Sequence, residues 1–113
     1  MCGINGLFGI SDREKAEPVI RVMNNSLAHR GPDNEGFFHS QKITLGHRRL
    51  SIIDLSPASN QPMTSADGRF TIIYNGELYN YKELKFDLQR APSGGGEAYL
   101  FKTNSDTEVI LAA

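Results

Sequence analysis

The sequence predicts an α+β fold. Its strongest apolar runs, residues 50–53 and 70–74, are strand-sized and bounded by turn-forming residues. Helical spacing appears once ahead of them, at Val19, Ile20, Met23 and Leu27. Two capping-box signatures, Asn80 with Glu83 and Ser105 with Glu108, open further helices behind them. At 113 residues, 39% apolar and 22% charged, the chain has the composition of one small globular domain.

The elements follow in order. Residues 4–10 carry scattered apolar side chains among Gly3, Gly6 and Gly9, as in a strand approached closely by other backbone. Ser11-Asp12 breaks that strand. The helix through Val19 to Leu27 tolerates Pro18 near its first turn and buries its apolar stripe as core packing. His29-Arg30-Gly31-Pro32-Asp33 ends it, and strands over 37–39 and 43–55 form a hairpin across Ser40-Gln41-Lys42. A polar loop with Pro57, Asn60 and Pro62 leads to Asp67-Gly68, a strong hairpin signal, and then to a strand over 70–74. Tyr81, Leu84 and Leu88 share one face of the helix opened by Asn80, and the stretch 91–96 closes it. The last helix carries Val109, Ile110 and Leu111 and runs to Ala113, so the chain reads as one incomplete domain, an apparently truncated unit over 1–113.

Several function classes drop out. Twelve basic residues against thirteen acidic ones, with no block of like charge, give no electrostatic footprint for nucleic acid or an anionic membrane surface. No run approaches the roughly 18 apolar residues of a spanning helix, and the first ten residues lack the basic start of a secretory signal, so a cytoplasmic location is the default. A single cysteine forms no internal disulfide, and His29, His39 and His47 lack the spacing of a helical metal site, so no metal is expected.

Chemistry concentrates at the start. A small residue at position 2 permits removal of Met1, after which Cys2 would carry a thiol and a free α-amine on one residue. The attacking species is the thiolate, and an α-amine with an ordinary pKa of about 7.7–8.0 can serve as its base near neutral pH. Acyl transfer also needs donors at the developing oxyanion. Asn75-Gly76 offers a side-chain amide and a backbone N–H. This pair is also a common hairpin turn, but Asn80 follows within a few residues, so it reads as a strand-to-helix loop. A substrate with a carboxylate and an ammonium would need an Arg fork and an acidic partner, for which Arg49 and Asp106 are candidates. Arg48 and Arg49 are neighbours on a strand and face opposite ways, one inward and one solvated. Asp106 equally suits the helix dipole.

Taken together, Cys2-Gly3-Ile4 with Gly6 and Phe8, His29-Arg30-Gly31-Pro32-Asp33, Gly46-His47 with Arg49-Leu50-Ser51-Ile52-Ile53-Asp54, Gln61-Pro62, Asn75-Gly76-Glu77-Leu78-Tyr79-Asn80 and Ser105-Asp106-Thr107-Glu108-Val109-Ile110-Leu111 resemble the class II glutamine amidotransferase domain, an N-terminal-nucleophile hydrolase. Within that class the chain is most similar to the glutaminase domain of glutamine-hydrolysing asparagine synthetases. The sugar-phosphate amidotransferases typically carry Thr-Arg-Trp-Ala where this chain has Arg48-Arg49-Leu50-Ser51.

The resemblance implies a four-layer αββα sandwich and hydrolysis of L-glutamine to glutamate and ammonia through a Cys2 glutamyl-thioester. It implies that Asn75 and Gly76 stabilise the oxyanion, that Arg49 takes the substrate α-carboxylate and that Asp106 takes its α-amino group. Leu50, Ser51, Ile52, Ile53 and Glu77 would supply pocket walls and backbone contacts, Arg30 and Asp33 a supporting loop, and His47 packing or a structural hydrogen bond. No cofactor is implied for this step. ATP and Mg belong to an absent synthetase domain, whose Ser-Gly-Gly-x-Asp-Ser loop Ser93-Gly94-Gly95-Gly96 does not replace. The chain covers about half of the family's glutaminase domain or slightly more, and the glycine-rich stretch 93–96 reads as a flexible connection. Other readings are a non-catalytic glutamine-binding or regulatory fragment, an ammonia donor to another amidotransferase, a Cys/His hydrolase pairing Cys2 with His29 or His47, and an unfolded fragment.

Overall fold

The computed structural model describes residues 1–90 and 96–113. The stretch 93–96 therefore lies, apart from Gly96, outside the described residues. The architecture is α+β, with two small antiparallel sheets and three α-helices among the described residues. Strands β1 (Gly3–Phe8), β2 (Asn34–Ser40) and β3 (Ile43–Arg49) form the larger sheet in the order β1-β3-β2. The second sheet pairs β4 (Met63–Thr64) with β5 (Thr71–Ile72).

Helix α1 (Arg13–Ser26) begins earlier than its apolar spacing predicts, because Asp12 caps it by accepting the Glu14 N–H at 3.0 Å. Pro18 consequently sits in the helix interior, on the exposed side, where its missing N–H leaves the Glu14 carbonyl to water. The predicted stripe also shifts. Val19 is exposed, and the buried positions are Ala16, Ile20 and Asn24, four residues apart. Asn24 is tolerated there because its amide is occupied on both sides: Asn5 Nδ2 donates to its Oδ1 at 2.9 Å, and its own Nδ2 donates to the His47 carbonyl at 3.4 Å.

The register sets two distinct faces on the larger sheet. Gly3 pairs with Arg48 and Glu35 pairs with Arg48, so these residues lie together on the face under α1. There Arg48 donates from Nε to the Asn24 carbonyl at 3.2 Å and meets Glu35 at 3.5 Å. The expectation that one of the two arginines is solvated is corrected, since Arg48 is enclosed by these partners and Arg49 is buried on the other face. That other face carries Ile4, His47 and Gly36 in one row. The Gln61-Pro62 segment, joined by a cis peptide, lies directly across Gly36. His47 is fully buried there and donates from Nε2 to the Tyr74 carbonyl at 3.3 Å.

Two predicted boundaries change. β3 stops at Arg49 rather than running to 55, because the Arg49 guanidinium draws residues 54–60 around itself through the Asp54 and Ser56 carbonyls and Asn60 Oδ1. Asp33 Oδ2 also takes the Ser51 N–H at 2.7 Å, which turns the chain out of the ladder. The strand predicted over 70–74 pairs only over Thr71–Ile72, beyond a Gly68 turn at φ 72°. Helix α2 (Tyr81–Leu88) has Asn80 at its cap position, but the Asn80 side chain makes no capping bond, so that capping box is not formed. Helix α3 (Asp106–Ala112) keeps half of its box. Ser105 Oγ accepts the Thr107 N–H at 3.1 Å, while Glu108 turns away to accept the Lys102 and Thr103 N–H groups and the Thr103 hydroxyl.

Two outcomes follow for stability. A Cβ at Gly36 would overlap the Gln61 carbonyl, so Gly36→Ala should cost about 1–3 kcal/mol by overpacking, read as a lowered thermal midpoint. Burial, and secondarily the nearby Arg49 charge, pull the His47 imidazole below its ordinary value of 6.5, against the opposing effect of the Tyr74 carbonyl. Unfolded chains then bind the proton first, so stability should fall as pH drops below about 6.5 and continue falling to the lower folded value. The slope of midpoint against pH should flatten in His47→Gln.

Candidate active site

A cavity of about 400 Å³ opens on the face of the larger sheet opposite α1, within the size range of small-molecule pockets. Its floor is the end of β1 and β3. Cys2 stands one residue ahead of the Gly3–Arg48 pair, which brings it level with Arg49, on the face that carries His47 and Ile4. The Cys2 thiol donates to the Leu50 carbonyl at 3.7 Å, and Sγ accepts the Leu50 N–H at 3.3 Å. Met1 lines the same cavity, so its side chain occupies space that its removal would free.

The far wall comes from three separate stretches. Asn75, Gly76 and Glu77 follow β5 as a strand-to-helix loop. Tyr74 underlies this loop: a Cβ at Gly76 would approach Tyr74 Oη at 2.7 Å, which explains why the position suits glycine. Burial, with Asp106 and Glu77 nearby, pushes the Tyr74 hydroxyl above its ordinary value. Asp106, at the start of α3, is buried, lines the cavity and accepts the Leu78 N–H on Oδ2 at 2.9 Å. Ile52 and Ile53 complete the apolar wall.

Arg49 is the best-tethered side chain of the site. Nη1 donates to the Ser56 carbonyl at 2.9 Å and Asn60 Oδ1 at 2.7 Å, and Nη2 donates to the Asp54 carbonyl. Of five guanidinium hydrogens, two, at Nε and Nη2, have no hydrogen-bond partner among the described residues. The loop is pinned in turn by Asp54, whose Oδ2 takes the Asn104 N–H at 2.7 Å. That bond and those from Ser56 hold the Asp54 carboxyl far below the usual carboxylate range.

The structure thus brings Cys2, Arg49, Leu50, Ile52, Ile53, Asn75, Gly76, Glu77 and Asp106 to one cavity. Ser51 does not line it; its N–H is turned to Asp33. Arg30 and Asp33 also stand outside it, behind Cys2 and Arg49: Arg30 Nε donates to the Cys2 carbonyl at 3.2 Å, and the Asp33 N–H donates to the Arg49 carbonyl at 3.0 Å. Neither His29 nor His47 is hydrogen-bonded to Cys2 Sγ among the described residues, so no Cys/His pair is formed. The cavity also contains Gln61, Tyr74 and Thr107, to which the sequence reading gives no role in the site. Their signal is tertiary: Gln61 Nε2 donates to Thr107 Oγ1 at 3.1 Å, and Gln61 Oε1 accepts the Tyr74 N–H at 2.6 Å. Among the described residues no cluster of three His, Cys, Asp or Glu can hold a metal ion, and no helix is long and apolar enough to cross a membrane.

Asparagine synthetase [glutamine-hydrolyzing] 1 of Bacillus subtilis (strain 168) is 43% identical over 115 residues, covering 99% of this chain and 17% of its own length. Asparagine synthetase B [glutamine-hydrolyzing] of Escherichia coli (strain K12) is 38% identical over 117 residues, covering 99% of this chain and 19% of its own. Amidase chry2 of Gibberella zeae is 37% identical over 124 residues, again covering 99% of this chain and 17% of its own. The chain therefore spans under a fifth of these relatives. A sequence model of the family described as glutamine amidotransferase domain matches residues 1–113, that is, the whole chain, and the chain belongs to that family.

Proposed function

We propose that this chain hydrolyses the side-chain amide of L-glutamine, with Cys2 as nucleophile, and supplies the ammonia to an ATP-dependent synthetase segment of asparagine synthetase type. The observation that carries this reading is the meeting of Cys2, Asn75-Gly76, Arg49 and Asp106, from four separate stretches of sequence, around one cavity. With Met1 removed, the Cys2 α-amine takes the thiol proton and Sγ attacks the substrate amide carbon. The developing oxyanion accepts hydrogen bonds from the Asn75 side-chain amide and the Gly76 N–H. The proton passes from the α-amine to the departing nitrogen, the C–N bond breaks and ammonia leaves a glutamyl-thioester. Water, deprotonated by the same amine, attacks the thioester. The C–S bond breaks, glutamate is released and the thiol is restored.

Substrate recognition follows the free valences. The two unspent donors of Arg49, at Nε and Nη2, suit the two oxygens of an α-carboxylate. Asp106 Oδ1 suits the α-ammonium, since Oδ2 is already committed to Leu78. The step calls for no cofactor; ATP and Mg would serve only the synthetase segment. The wider fold in this reading is the four-layer αββα sandwich, of which residues 1–113 form the first half or slightly more. It is supported by α1 on one sheet face and by apolar Ile4, Phe8 and Ile43 left exposed on the other, where a second sheet would lie. The relatives include both synthetases and an amidase, which leaves a different ammonia acceptor as the second reading.

Exposure to a diazo-ketone analogue of glutamine, followed by intact mass, should show one adduct on the Met1-free protein and none in Cys2→Ala or where Met1 is retained. No adduct on the Met1-free protein overturns the proposal. Arg49→Lys, which loses the planar fork, and Asp106→Asn, which loses the charge, should each raise KM for glutamine about tenfold or more in a glutamate-release assay.

A further inference from the structure

The mechanism leaves one buried titratable group without a task. His47 is fully buried, sits on the cavity side of the sheet and, among the described residues, makes no hydrogen bond to Cys2 Sγ. Its Nδ1 has no hydrogen-bond partner among the described residues. An unpartnered buried nitrogen bears a desolvation cost with nothing to offset it, so packing alone would be served better by an apolar residue of similar size. Nε2 faces a carbonyl oxygen, which only an N–H can satisfy. The neutral ring therefore carries its proton on Nε2, and its single polar interaction is with Tyr74.

A second buried side chain holds the same residue from the other side. Gln61 Oε1 accepts the Tyr74 N–H at 2.6 Å, and Gln61 is itself anchored to Thr107 on α3 through Nε2. Both backbone groups of Tyr74 are thus held by side chains rather than by a strand partner, since β5 ends at Ile72. The carbonyl that His47 holds belongs to the peptide joining Tyr74 to Asn75. Fixing that peptide plane fixes the origin of the Asn75 side chain and the direction in which the chain presents Gly76.

Resting on the glutaminase reading, we propose that His47 and Gln61 are positioning residues that clamp the Tyr74 backbone and thereby aim the Asn75-Gly76 donors at the reacting carbonyl. The clamp acts on transition-state stabilisation more than on substrate binding, because the groups assigned to the α-carboxylate and α-ammonium lie on Arg49 and Asp106. Oxyanion donors must stand within about 2.7–3.1 Å of the charge they stabilise, so loss of aim costs rate before it costs affinity.

The test uses the whole polypeptide that carries this chain, with steady-state glutamate release, adduct formation by the diazo-ketone analogue and thermal melting measured side by side. His47→Leu, which removes the donor, should lower kcat about 10- to 100-fold, with KM changed less than about twofold and the Cys2 adduct still forming. His47→Gln, which returns an N–H at similar reach, should recover kcat to within about threefold of the parent. Gln61→Met should lower kcat in the same way as His47→Leu. An undiminished kcat in a cooperatively melting His47→Leu overturns the clamp alone, as does a His47→Gln no better than His47→Leu. Failure of both His47→Leu and Gln61→Met to melt cooperatively also overturns it, because the two positions would then be serving stability. No adduct in the parent protein overturns the glutaminase reading and, with it, the purpose of the clamp.

Discussion

The first turn of α3 is polar, buried and bonded outward in several directions, and the cavity depends on it. Asp106 receives the Leu78 N–H, Thr107 receives Gln61, and Glu108 gathers the Lys102 and Thr103 backbone. Just ahead of the helix, the Asn104 N–H reaches Asp54 and so secures the loop that Arg49 organises. Fully or nearly fully buried apolar side chains number only three among the described residues, Ala16, Ile20 and Val109. Non-directional apolar burial therefore contributes little to the placement of these loops. Directional bonds with fixed lengths set it instead, and a buried donor or acceptor that loses its partner bears the full desolvation cost.

Much of the fold was legible because it is written in short-range chemistry. Asp67-Gly68 makes its turn, Ser105 caps its helix, and the pairing of β2 with β3 follows from two apolar strands around a polar loop. Asp12 was legible in principle as well, as an acidic cap just before a helical stretch. The misses share a different cause. β3 ends at Arg49 because a guanidinium recruits carbonyls five and seven residues on, and no propensity encodes that recruitment. Asn80 has the right type and spacing for a cap, yet its backbone, at φ −94° and ψ 21°, departs from the extended geometry of a capping residue. Asn24 reads as a polar break in a helical stripe until Asn5 and the His47 carbonyl are placed beside it.

For the candidate site the pattern is similar. Cys2, Asn75 and Asp106 stand out because their chemistry is visible in a single residue and its neighbours. Gln61 does not stand out, because its meaning is a relation among Thr107, Tyr74 and itself across more than forty positions of sequence. The supporting residues Arg30 and Asp33 lie between these cases: the turn that contains them is evident, while its attachment to the Cys2 and Arg49 carbonyls is a property of the folded chain.

The antiparallel register of β1 against β3 carries a consequence for how this amino terminus can vary. Side chains on a strand alternate between faces, and here one face belongs to α1 and the other to the cavity. Cys2 is therefore addressed by parity as well as by position. Insertion of one residue between Cys2 and Gly3 would turn the sulfur toward the helix side while leaving every downstream pairing intact. Length variation at this end is thus constrained to steps that preserve odd and even, a digital rule imposed by an otherwise deformable strand.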